Sequence, residues 1–92
     1  MDWQDPPTEF RYILFERHNR VKNEMRFYYL AWQPTLLAEG AIVRVWGRKH
    51  GQQRVMVTEA ASLDAAWPTI RALIRTRLRH GYRVVGPEVY RD

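Results

Sequence analysis

The apolar residues of this chain change their period once, and that change does most to limit what it can fold into. Before residue 61 they fall into four short runs rich in aromatic and β-branched residues: FRYILFER (10–17), EMRFYYLAWQ (24–33), AIVRVWGRK (41–49) and QRVMVTEA (53–60). Such runs, most clearly alternating in the third, are the pattern of strands. Polar HNRVKN (18–23), the segment QPTLLAEG (33–40) with Pro34 and Gly40, and HGQ (50–52) separate them as turns and a loop. None of these connections is long enough for a crossover helix, so the strands are expected to be antiparallel. After residue 61 the spacing becomes helical, with apolar residues at 63, 66, 67, 70, 73, 74 and 78. Ser62 or Asp64 is placed to cap the start, Gly81 marks the end, and His80 lies in the last turn. Pro68 predicts either a kink in the first turn or a delayed start. YRVV (82–85) is expected to return to the sheet as a fifth strand.

The expected fold is therefore α+β: a small antiparallel sheet of four to five strands with one long helix across one face. Ninety-two residues allow one domain. Its expected bounds are 10–85, after a polar, extended lead (1–9) and before a tail (86–92). Alternation in the third strand puts Val43 and Val45 on one face and Arg44, Trp46 and Arg48 on the other. Val55 and Val57 are expected to join the valine face. The helix stripe of Leu63, Trp67, Ile70, Ile74 and Leu78 is expected to cover it. The opposite face would then show solvent Arg44, Trp46 and Arg48, with Arg26 and Tyr28 beside them.

Charge placement narrows the function. Residues 11–83 hold fourteen of the fifteen basic groups and five acids, a local net of +9, and Arg outnumbers Lys by 13 to 2. The planar guanidinium fork grips phosphate bidentately and stacks on rings. Basic groups interleaved with rings suit a nucleic-acid strand. There are no cysteines, so disulfides and thiolate metal sites are excluded. The acidic start MDWQDPPTEF lacks the apolar core of a signal peptide, and no run approaches a membrane span; a cytoplasmic location is expected. His18, His50 and His80 fall at turns or helix ends without partners at ligand spacing. Ser62, the one serine, serves better as a cap than as a nucleophile. No Gly-rich phosphate loop is present. No catalytic residue, cofactor or metal is expected, and the chain is not read as an enzyme.

The ordered set Arg26-Phe27-Tyr28, VRVWGR (43–48), Gly51-Gln52, an amphipathic helix and Gly81-Tyr82 resembles the WGR domain, over about residues 10–85. The resemblance implies an antiparallel sheet with one helix packed across it. It also implies a module of the kind that helps poly(ADP-ribose) polymerases recognise DNA breaks, and that also occurs in bacterial proteins. It places the family's sugar-packing Trp at Trp46, its supporting Arg at Arg48 and its DNA-touching basic residue at Arg26. The family's asparagine before that residue is Met25 here, and the loop after WGR is only Lys49-His50. The expected nucleic-acid-binding residues are Trp46, Arg48, Arg44, Arg26 and, at the hairpin tip, Lys49, with DNA preferred to RNA and strand ends or breaks as candidate targets. Arg71, Arg75 and Arg79 on the helix are read as solvated surface. The alternative is an adaptor that docks an acidic partner protein, with Leu30, Trp32 and Met56 as the apolar part of its interface.

Overall fold

The computed structural model describes residues 10–90; the lead expected over 1–9 lies outside them. Strands β1 (Tyr12–Asn19), β2 (Glu24–Gln33), β3 (Gly40–Arg48) and β4 (Gln53–Ala60) run as a meander, followed by helix α1 (Leu63–Arg79), strand β5 (Arg83–Gly86) and a short 3-10 turn (Glu88–Tyr90). The five strands form one antiparallel sheet in the order β4-β3-β2-β1-β5. Helix α1 carries the chain across the sheet, so β5 pairs with β1 at the edge opposite β4. The α+β architecture expected from the sequence is the one observed. The stretch from residue 86, expected as a tail, includes Tyr90, which is buried and packs its ring 5.8 Å from that of Phe10.

Helix α1 forms where the apolar period predicts it. The Ser62 hydroxyl accepts from the Ala65 amide at 3.0 Å and so is the N-cap, while Asp64 sits in the first turn, where a carboxylate suits the helix dipole. At the other end Gly81 takes φ +83°. The amide of Tyr82 donates to the Arg77 carbonyl at 3.0 Å and that of Gly81 to Leu78 at 3.2 Å. This is the Schellman closure, which needs a residue at ease in the left-handed region. Pro68 neither delays the start nor ends the helix; it lies inside. Pro68 deprives the Asp64 carbonyl of its usual helical amide partner, and both residues are exposed.

The helix covers a different face from the one the alternation of β3 suggested. Its buried residues Ala66, Trp67, Ile70 and Ile74 share a core with Ile13, Phe15, Tyr28, Leu30 and Ile42. Pairing carries that face across the sheet: Ile13 is opposite Leu30 and Phe15 opposite Tyr28, while Leu30 is opposite Arg44 and Tyr28 opposite Trp46. Directly opposed residues point to the same side. Arg44, Trp46 and Arg48 therefore project toward the helix side, with Trp46 packed against the core. The valine face is the uncovered one, with Val55 65% and Val57 58% exposed. The reason is energetic. Ile13, Phe15, Leu30 and Ile70 are fully buried, and each contributes about 1.5–3 kcal/mol by leaving water. The strongly apolar faces of β1 and β2 thus choose the side, and β3 follows by register.

Candidate nucleic-acid interface

Beyond the end of the helix, the helix-side face carries a row of cations. Arg17 is opposite Arg26 in the β1–β2 pairing, and Arg26 is opposite Arg48 in the β2–β3 pairing. Like charges directly opposed across strands are destabilising, so each is held by a specific contact. Arg17 donates to the His80 carbonyl at 3.0 Å and lies over the Tyr82 ring at 4.9 Å. Arg77 from the helix lies over Tyr28 and Tyr82, at 4.6 and 5.4 Å. Arg26 and Arg48 both donate to the Glu24 carboxylate, Arg48 at 2.7 Å. The Arg26 hydrogen bond first, then that of Arg48, holds the Glu24 carboxyl below the usual carboxylate range, and the same bond raises Arg26.

A depressed carboxyl pKa in the folded state stabilises the fold above the unfolded value, near 4.5 for this group, and that stabilisation is lost as pH falls through the folded value. Glu24→Gln is accordingly expected to flatten the acid side of the stability–pH profile below about 4.5, with little change in its shape near pH 7. Urea melts of both proteins at a series of pH values check this; parallel acid limbs would remove Glu24 as the linked group.

Next to the row lies a concavity of about 900 Å³ lined by Arg26, Trp46, Gly47, Arg48, Gly51, Gln52, Gln53 and Arg54. Trp46 is half-buried, and its indole stacks on Tyr28, centroids 5.9 Å apart and planes 26° from parallel. Tyr28 meets Phe15 edge-on at 6.4 Å, so the indole rests on the core through one intervening ring. The wall toward β4 is Arg54, opposite Trp46. At the hairpin tip the Gly51 amide donates to the Arg48 carbonyl at 3.1 Å and His50 has φ +62°, the type II turn pattern.

Of the residues expected to bind nucleic acid, Arg26, Trp46 and Arg48 come together around this concavity. Arg44 stays one step outside it: it reaches the Tyr28 hydroxyl at 3.4 Å, touches the Met56 sulfur and lies 5.6 Å from the Trp46 ring. Lys49 points elsewhere, pairing with Glu16 at 2.8 Å; Glu16 is opposite Phe27 and hence on the uncovered side of the sheet. The concavity also takes in Arg54, which is absent from the expected set, whereas Arg17 and Arg77 lie beside Tyr82 and outside it. The hairpin register would have revealed Arg54, because pairing Gly47 with Gln53 sets Arg54 beside Trp46. Nothing local in the sequence announces the two arginines that flank Tyr82. The apolar patch suggested for an adaptor is not available as such, since Leu30 is fully buried.

A meander, one crossing helix and a Trp-Gly-Arg strand beside a basic hollow together define a small α+β domain of one recognisable kind. The WGR domain family matches residues 12–89, and the chain belongs to it. In poly(ADP-ribose) polymerases this domain is a nucleic-acid-binding module. Searches of curated proteins and of solved structures return no match. No helix among the described residues is long and apolar enough to cross a membrane.

Proposed function

We propose that the concavity between β2, β3 and β4 binds a nucleic-acid backbone, DNA in preference to RNA, without catalysing a reaction. The observation that carries this reading is the meeting of the Arg26, Arg48 and Arg54 guanidiniums with the Trp46 indole around one hollow. The guanidinium forks, those of Arg26 and Arg48 in exchange for Glu24, would clamp phosphate oxygens, and Trp46, held rigid by Tyr28, would take a sugar or base against its free edge. The preference for DNA and the engagement of strand ends rest on membership of the WGR family. An acidic protein surface would engage the same forks, so the test must separate the two ligands.

Fluorescence anisotropy with single-stranded, blunt, nicked and RNA oligonucleotides, titrated in salt, provides it. Three phosphate contacts give a slope of log affinity against log salt of roughly −2 to −3. Arg48→Ala with Trp46→Ala is expected to weaken binding by roughly tenfold to a hundredfold. Unchanged affinity in that double variant removes the site. Absence of binding to every oligonucleotide at low salt, alongside capture of an acidic protein that survives nuclease, would transfer the site to a protein ligand.

A further inference from the structure

The two edges of the sheet are built differently. At one edge β5 is four residues long and runs straight into Pro87, which has no amide to donate. Short edge strands and prolines are the usual means of blunting an edge. At the other, β4 has eight residues, Gln53 to Ala60, none of them proline or lysine. Every residue of β4 except Ala60 is exposed, including Val55 at 65%, Met56 at 44% and Val57 at 58%. Its one paired side faces β3, and no described strand lies beyond it. A long edge with an apolar centre, Val55 to Val57, between charged Arg54 and Glu59, and with an unpaired row of amides and carbonyls, is a template for another strand.

We propose that β4 pairs antiparallel with β4 of a second copy of this chain, about a two-fold axis at Met56. The strand's own sequence selects this occupant. A two-fold axis normal to the sheet keeps each face on its own side, so opposed residues must match in parity. Centred on Met56, Val55 meets Val57 of the other copy on the valine face, twice. Arg54 meets Thr58 and Gln53 meets Glu59, so no like charges are opposed. Moving the centre one residue, to Val57, would instead set Val55 against Glu59. The two valine faces join into one apolar strip. The helices, and the Arg54-bearing concavities, lie together on the opposite side.

The chain has no cysteine, which makes the register directly testable in the full chain. Met56→Cys places two thiols across the axis at cross-strand spacing, about 4.5–5.5 Å between Cα atoms, within disulfide reach. Thr58→Cys places them about 14 Å apart, out of reach. Mild oxidation at matched concentration is expected to cross-link the first roughly tenfold faster or more than the second. Sedimentation should show the wild-type mass rising above 11.1 kDa with concentration. Val55→Lys with Val57→Lys, both on exposed positions and checked for native circular dichroism, should hold it at the monomer value. A wild type that stays monomeric to about 1 mM, the weak end of specific association, equal cross-linking rates for the two cysteine variants, or a double-lysine variant that associates like wild type would each overturn the pairing. Oligonucleotide binding by the monomeric variant is read separately, since none of these positions lines the concavity.

Discussion

Phe15→Ala is expected to destabilise the domain by about 3–5 kcal/mol, the range for removing a fully buried ring. Phe15 is completely buried in β1, opposite Tyr28 on one side and Val84 on the other. It is thus a point where the meander and the returning β5 are held together. A domain of this size has roughly 5–10 kcal/mol to lose, so the change removes about a third or more of its stability and the urea midpoint should fall sharply. Urea denaturation with fitted m-values measures the change. Phe15→Leu keeps most of the volume and should cost less than about 1.5 kcal/mol. If both substitutions cost the same small amount, the core is centred elsewhere. The loss also travels outward, because Phe15 supports Tyr28 and Tyr28 supports Trp46. The cavity would loosen the floor on which the candidate binding indole rests.

That dependence shows why the elements were legible in the sequence and their facing was not. The bounds of β2 and β4 observed here, Glu24–Gln33 and Gln53–Ala60, are those of the aromatic and β-branched runs themselves. The helix is equally local, since its apolar period, its Ser62 cap and its Gly81 exit lie within one stretch. The direction in which β3 faces is not local. Val43 and Val45 on one side and Trp46 on the other are both plausible as core, and β3 alone offers no reason to choose. The choice comes from Ile13, Phe15, Tyr28 and Leu30, two strands of the meander that bury one face completely or nearly so. It reaches Trp46 only through the register, Tyr28 opposite Trp46. The same nonlocal step hides Glu24 between Arg26 and Arg48, reveals Arg54, and sends Lys49 to the side of Glu16.

Gly47→Ala is expected to be the most damaging substitution within the signature itself, costing about 2–4 kcal/mol from backbone strain and steric overlap together. Gly47 has φ +154°, and a Cβ on it would overlap the carbonyl oxygen of Gln52 and lie 3.2 Å from the Gln53 Cα. Both obstacles are backbone, so neither can swing aside; relief requires β4 to move away from β3 at their hairpin end. Gly86→Ala is the matched control. It makes the same chemical change where a Cβ meets nothing within 4 Å, and it should be neutral or stabilise by a few tenths of a kcal/mol through the unfolded chain. Comparing the two by urea melts separates the local overlap from the general cost of replacing glycine, and equal effects would discard it. The consequence for the interface follows from the pairing. Gly47 stands between Trp46 and Arg48 on β3 and opposite Gln53 on β4. The close approach of the Gln52 carbonyl at its bare Cα is what draws Gln52, Gln53 and Arg54 up to the indole and closes the hollow on that side. A methyl group there would part Arg54 from Arg48, so the phosphate affinity proposed for this hollow should fall even in the fraction of the variant that remains folded.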